Sequence, residues 1–241
     1  MRAPSGLSSV NIVASPRPRV GKTLLARLLT DFHLREGRSV AAFDLNVGKN
    51  TLAQYLPEQV TRSAIDDLQG QMALFDRLTA DDGTTKIVDL SHASFEAFFT
   101  LAHRFGFGGE TRSRGIALVI HYLLAPDYAS VDAYHSLQMQ FLEAVVTPVH
   151  NEIFGVRQHR EGYKLTCGPM AIRLPLLAPA VNKYVEVPPF SFTDLPPPAE
   201  DSVENSDITI ELEHWLRRIH LEFRELYLRI LLTDLKSSIR L

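Results

Sequence analysis

The chain predicts an α/β fold in three layers: a mainly parallel sheet flanked by helices, followed by a Pro-rich segment and a C-terminal helix. Three observations carry this. Short apolar runs alternate with amphipathic helical stretches from Val10 to His150, and strands separated by helices imply crossovers between parallel neighbours. The first apolar run leads into Gly21-Lys22-Thr23 and then a helical pattern. At 241 residues the chain has the length of one such domain.

Taken in order, Val10 to Ala14 reads as a strand and is followed by a Pro/Arg loop. Leu24, Leu25, Leu28, Leu29 and Phe32 recur at helical spacing up to Gly37. Val40 to Phe43 is too short for a helix and ends at Asp44. A polar, helix-prone region runs to about Thr79. Lys86 to Leu90 (KIVDL) is a strand after the turn Asp81-Asp82-Gly83. Phe95 to Phe105 is helical and aromatic, and GFGGETRSRG is a loop. Ile116 to Leu124 is the strongest strand signal, Ser130 to Ala144 a helix, and Val145 to His150 a further strand. A hairpin is expected around Glu161-Gly162. Residues 187–207 hold five of the fourteen prolines, five acids and no base, so they read as a linker or extended segment. The last helix is expected to start at Ser206 or Asp207, either of which can cap it. Its stripe of Leu212, Leu216, Ile219, Phe223, Leu226 and Ile230 has heptad-like spacing and calls for a cover of protein, in the first place its own domain. The divisions are therefore 1–186 for the α/β domain, 187–207 for the linker and 208–241 for the helix.

Composition narrows the function classes. Hydrophobic residues make up 45% and charged residues 22%, close to the globular average. A net charge of −3 means that nucleic-acid contact needs a local basic patch. Cys167 is the one cysteine, which excludes an internal disulfide and a multi-cysteine metal site. The N-terminus lacks the pattern of a signal peptide, and the longest apolar stretch is too short to span a bilayer. A cytoplasmic protein is expected.

Chemistry concentrates in Ser15-Pro16-Arg17-Pro18-Arg19-Val20-Gly21-Lys22-Thr23. A phosphate-binding loop needs inward N–H groups, a lysine for the β- and γ-phosphates and a hydroxyl for Mg²⁺. Gly21-Lys22-Thr23 supplies the last two between a strand and a helix, and Arg19, Val20 and Leu24 are the candidates for backbone contacts around them. Pro16 stands where the usual pattern has its first glycine. The bland alternative is a basic loop that caps a helix without a ligand.

RPRVGKT resembles the deviant Walker A motif of the ParA/MinD family of P-loop ATPases, roughly KGGVGKT. The resemblance implies that Arg17 takes the place of the signature lysine that reaches across a nucleotide-sandwich dimer. Lys22 and Thr23 match the core lysine and the magnesium hydroxyl, while Pro18 and Arg19 replace two glycines. VAAFDLNVGKNTLAQYL resembles the second motif, so Asp44 is implied in the metal shell and Asn46 stands where the family has its water-orienting aspartate. An amide cannot take a proton as a carboxylate does, so slow hydrolysis is expected. KIVDL resembles Walker B, which adds Asp89 to Thr23 and Asp44 around the metal. VVTPVHN implies Asn151 as the reader of adenine, and AIRLPLLAPAV implies Pro175 beside the base. The implied ligands are ATP and Mg²⁺. The implied function is a nucleotide-controlled homodimer that positions DNA or a protein assembly. A protein partner or non-specific DNA fits this reading. An evenly charged last helix argues against a membrane.

Other readings stay open. One is a degenerate, non-hydrolysing interaction subunit, favoured by the loop prolines and Asn46. A bacterial tyrosine-kinase-like ATPase is favoured by DLNVGKNT, and a ligase of the dethiobiotin synthetase type by VGKT. No H-E-x-x-H pair occurs among the nine histidines, and no G-x-S-x-G elbow occurs. His92 follows Asp89 closely but reads as an ordinary histidine. Arg104, Arg112 and Arg114 read as a solvated loop rather than a nucleic-acid contact.

Overall fold

The computed structural model describes residues 8–46, 48, 51–154, 168, 170–193 and 203–239. Seven parallel strands form one sheet in the order β3-β2-β4-β1-β5-β6-β7. They are β1 (Ser9–Ala14), β2 (Val40–Asp44), β3 (Val60–Arg62), β4 (Thr85–Asp89), β5 (Ala117–Leu123), β6 (Val145–Asn151) and β7 (Ile172–Leu174). The strands are buried on both sides, which is why they read as apolar runs rather than as alternation.

Residues alternate between the two faces, as the pleat requires. Val10, Ile12 and Ala14 of β1 face α3 (Leu68–Leu78), α4 (Phe95–Arg104), α5 (Phe107–Ser113) and α6 (Tyr128–Gln140). Val13 faces α1 (Lys22–Arg35), α2 (Leu52–Tyr55), α7 (Pro179–Val185) and α8 (Val203–Ile239). The expected α/β layering with a mainly parallel sheet is therefore present, and every strand pairing is parallel.

Several expectations change. The polar stretch before Thr79 contains a short edge strand, β3, between α2 and α3. The expected loop at 106–115 is the helix α5, held by Phe107, which is 2% exposed among the rings of that face. The last helix begins at Val203 rather than at Ser206 or Asp207. The hairpin at Glu161-Gly162 and Cys167 lie outside the described residues.

The helix α8 docks on this same domain. Leu212, Leu216, Ile219, Phe223, Leu226 and Ile230 are all buried in one cluster with α1, and Trp215 joins them. Its Glu222 accepts the N–H of Arg173 at 3.1 Å, so it ties down the edge strand β7. The Pro-rich stretch is also bound as far as Thr193. Arg27 on α1 donates to the Val185 and Phe190 carbonyls at 2.9 and 3.4 Å. Its guanidinium lies 3.8 Å from the centre of the Tyr55 ring and 4.7 Å from that of Phe192. Thr193 donates to Asp31 at 2.6 Å. Residues 187–193 therefore form an extended strap on α1, and residues 194–202 lie outside the described residues. Among the described residues no helix is long and apolar enough to cross a membrane.

Candidate functional site

In an open parallel sheet, ligands collect beyond the carboxyl ends of the strands where the chain order reverses. Here that point flanks β1, which lies between β4 and β5. The segment after β1 begins at buried Ser15, whose Oγ accepts the Arg17 N–H at 3.3 Å. Arg17 thus turns its N–H into the domain, and Pro18 has none to offer. The inward donors must come from Arg19 onward.

Arg19 has φ 56, the left-handed region, and is the one non-glycine residue with positive φ among those described. It stands where the deviant motif has glycine, so the loop keeps the glycine-type bend with a side chain in place. Gly21 has φ 97 and lies against Asn151. A Cβ there would meet Asn151 Nδ2 at 2.7 Å, so position 21 excludes a side chain for two reasons. Asn151 Nδ2 donates to the Val20 carbonyl at 3.0 Å, and its Oδ1 accepts the Ile153 N–H at 3.1 Å. Asn151 thereby braces the loop from the end of β6.

The helix α1 starts at Lys22, with Gly21 as its N-cap and no side-chain cap. The first N–H groups, those of Lys22, Thr23 and Leu24, are available to an anion at the positive end of a fourteen-residue helix. Lys22 is buried and folds back, with Nζ donating to the Arg17 carbonyl at 2.7 Å. Burial pushes its pKa down to about 8, against the opposing pull of Asp89.

Thr23 Oγ1 donates to Asp89 Oδ2 at 2.7 Å. Asp89 ends β4 fully buried, and its Oδ1 has no hydrogen-bond partner. Burial raises its pKa to about 7; Asp44 adds to this, while the Thr23 hydroxyl and Lys22 oppose it. A buried carboxylate with one free oxygen beside a lysine and a threonine hydroxyl suits a hard cation. The donor set thus fits Mg²⁺. Among the described residues no group of three or more His, Cys, Asp or Glu side chains is placed to hold a metal ion, so such a cation would depend on Thr23, Asp89, phosphate and water.

Asp44 is in register with Asp89 but is engaged elsewhere. Its Oδ1 accepts the Asn46 N–H at 2.9 Å and Asn46 Nδ2 at 3.0 Å, and its Oδ2 accepts the Ala53 N–H at 2.8 Å. Asn46 Nδ2 also donates to the Asp89 carbonyl at 3.1 Å. The amide at 46 is therefore a clip between the ends of β2 and β4. An aspartate there would lose both donations and place a second carboxylate against Asp44.

Arg17 is paired with the head of α6. Its Nε and Nη2 form a fork on Asp127, at 3.0 and 2.7 Å. Asp127 is also the N-cap of α6, accepting the Ser130 N–H at 2.9 Å. The pairing holds the Asp127 carboxyl below its ordinary range. Pro175 is buried after β7, and its carbonyl accepts Trp215 Nε1 at 2.9 Å, so α8 fixes the loop that holds it. Exposed Ile153 and Leu176 lie just beyond Asn151 and Pro175.

Sequence reasoning missed three participants: Asp127, Trp215 and Glu152, whose carboxylate accepts the Leu176 N–H at 3.1 Å. Asp127 had a signal, an N-cap aspartate after Pro126 with Ser130 three residues on. The other two depend on long-range packing. His92 is exposed. Arg114 pairs with Glu110 and the Thr79 carbonyl.

No protein-family model and no curated protein matches this chain. Among solved structures it is similar to the MinD cell division protein of Aquifex aeolicus, at 14% identity and a TM-score of 0.40, over 59% of this chain and 68% of that one. It is also similar to the signal recognition particle 54 kDa protein of Aeropyrum pernix in complex with GDP. That match has 17% identity and a TM-score of 0.40, covering 91% of this chain and half, 50%, of the other. Likeness at this level concerns the fold alone. The chain's own architecture is a parallel three-layer α/β sheet with Gly21-Lys22-Thr23 between β1 and α1, and Asp89 ending the adjacent β4.

Proposed function

We propose that this chain binds ATP with Mg²⁺ at the head of α1. We further propose that it works as a nucleotide-controlled dimer in the partition or positioning of DNA or a protein assembly. One observation carries the nucleotide reading: the Thr23–Asp89 hydrogen bond of 2.7 Å beside Lys22, with Asp89 Oδ1 buried and unpartnered. An unpaired buried oxygen costs about 1–3 kcal/mol, and a cation with its waters removes that cost.

In this reading Thr23 and Asp89 hold the metal, and Asp44 stands behind them as the clamp that orders the ends of β2 and β4. When bound, Mg²⁺ neutralises charge on the phosphate oxygens. Lys22 turns from the Arg17 carbonyl to the phosphates, and the N–H groups from Arg19 to Leu24 face the same anion. Asn151 keeps one N–H beyond its bond to Val20 and sits with Pro175 beside the base. For Arg17 to reach a neighbouring subunit it must first release Asp127. That fork is open to solvent and screened by it, so triphosphate is a competitive partner for the guanidinium.

Slow hydrolysis follows from Asn46. Its amide donates to Asp44 and to the Asp89 carbonyl and cannot serve as a base. The same observation favours a second reading, an interaction subunit that binds nucleotide without hydrolysing it. Titration with labelled ATP in the presence and absence of Mg²⁺ tests the common core. Lys22→Ala is expected to weaken binding about tenfold or more with an unchanged circular dichroism spectrum. Equal affinity of variant and parent would remove the nucleotide reading. Phosphate release separates the two remaining cases.

A further inference from the structure

The helix α8 has a second apolar row that its own domain does not cover. At 100° per residue, Leu221, Leu228, Leu232 and Leu235 fall within about 60° of arc, on the opposite side from the docked stripe of Leu212 to Ile230. With Leu231 at the border, these leucines are between 52% and 59% exposed. Ile230 is the last buried position of the helix among the described residues. Leu231, Leu232 and Leu235 therefore lie where the parent domain has ended.

We infer that this row is a homodimer face, with α8 of one chain packed against α8 of a second copy. Two features select this occupant. The first is charge. Of the arginines beside the row, Arg217, Arg224 and Arg229 are closed in ion pairs within the chain, with Glu213 at 3.1 Å, Glu36 at 2.8 Å and Glu225 at 2.8 Å, while Arg218 is exposed with no ion pair among the described residues. A rim with three of these four arginines neutralised offers little to an anionic lipid surface or to nucleic acid, both of which select clusters of free Lys and Arg. It does not repel its own copy. The second is area. Five half-bare leucines leave on the order of 100 Å² each, so two copies bury about 1,000 Å² from leucine alone, and flanking side chains carry this into the range of specific interfaces. A heptad-spaced row such as Leu221, Leu228 and Leu235 is also self-complementary about a two-fold axis.

This dimer is independent of the nucleotide reading and of any subunit contact made through the loop. It forms from the C-terminal helices and needs no ATP.

The test uses the full chain without nucleotide, by sedimentation equilibrium over about two decades of concentration. The parent is expected to associate to a dimer. Leu228→Glu with Leu232→Glu is expected to raise the dissociation constant about a hundredfold or more while leaving the thermal midpoint of the monomer unchanged. If that pair disturbs folding, Leu235→Gln probes the same face with a smaller change and an expected loss of about tenfold. A parent that stays monomeric overturns the inference, as does a charged variant that dimerises like the parent. Flotation of a monomeric parent with phosphatidylcholine/phosphatidylserine vesicles, lost in the variants, assigns the row to lipid and also overturns it.

Discussion

The two faces of the sheet are covered in different ways. On one, α3 to α6 seal the strands with aromatic rings. Phe75 stacks on Phe98 at 5.5 Å between ring centres, Phe95 meets Phe99 edge-on at 5.0 Å, and Phe99 meets Phe141 at 5.6 Å. On the other, α1 and α8 enclose a polar chain inside their apolar cluster. Tyr227 donates to Asn11 Oδ1 at 2.8 Å, and His121 Nε2 meets the same oxygen at 3.0 Å. His33 Nε2 meets the Tyr227 hydroxyl at 3.0 Å. Aromatic contacts accept small shifts of a helix, whereas a buried hydrogen-bond chain is satisfied in one register only. The polar chain crosses from β1 and β5 through α1 to α8, so it specifies where the last helix sits. That register matters to the candidate site, because Trp215 of α8 holds the carbonyl of Pro175.

Three changes should separate the faces. The largest effect is expected from Phe98→Ala, which empties a fully buried ring position on the aromatic face. Removing a buried phenylalanine costs about 3–5 kcal/mol, read from the urea midpoint. A cost below about 1 kcal/mol would mean that this face is loosely packed.

Next comes acid sensitivity, which belongs to the α1/α8 face. Burial lowers His33 and His121 from 6.5 to about 3, and Arg38 lowers His33 further. The unfolded chain takes up both protons near pH 6.5, while the folded chain stays neutral until about pH 3. The unfolded state therefore binds more protons in that window. Stability is complete above about pH 6.5 and falls by about 1.4 kcal/mol per pH unit for each ring below it. Urea midpoints at about pH 7.5 and pH 5 should differ strongly in the parent and less in His121→Gln. An identical pH dependence in both would locate the acid sensitivity elsewhere.

Tyr227→Phe is a smaller cut in the same chain. It removes the hydroxyl shared by His33 and Asn11, with an expected cost of about 1–3 kcal/mol. Tyr134→Phe on the other face loses only a bond from Gln138 at 2.9 Å and should cost less than about 1 kcal/mol. If the two substitutions cost the same, the polar chain adds no specificity.

The sequence made the strand–loop–helix around Gly21-Lys22-Thr23 legible because every signal there is local: an apolar run, a glycine, a lysine and a helical stripe. The docking stripe of α8 was legible for the same reason, since Leu212 to Ile230 repeat along one helix. β3 escaped because three residues at a sheet edge carry no period. The helix α5 escaped because Gly108 and Gly109 argue for a loop, and Phe107 wins by burial among rings distant in sequence. The brace from Asn151 to Val20 joins residues 131 apart, and no spacing reports such a contact. Asn46 was visible as a departure from Asp-x-Asp. Its reason, two donations that a carboxylate cannot make, needed β2 and β4 side by side.

The smallest effect is expected where β1 passes into α1, at Arg19. A left-handed φ of 56 costs a side-chain-bearing residue about 1–2 kcal/mol relative to glycine. Glycine returns about 0.5–1 kcal/mol of that through the greater entropy of the unfolded chain. Arg19→Gly should therefore raise stability by no more than about 1 kcal/mol. Its effect on ATP binding has the opposite sign. Arg19 is exposed beside the proposed phosphate position, and an exposed cation there is worth up to about 1 kcal/mol, or about fivefold in affinity. The expected variant melts slightly higher and binds labelled ATP a few times more weakly. Tighter binding by Arg19→Gly would reverse this account. It would mean that strain in the loop, rather than missing charge, limits how the Pro18-Arg19 segment receives an anion.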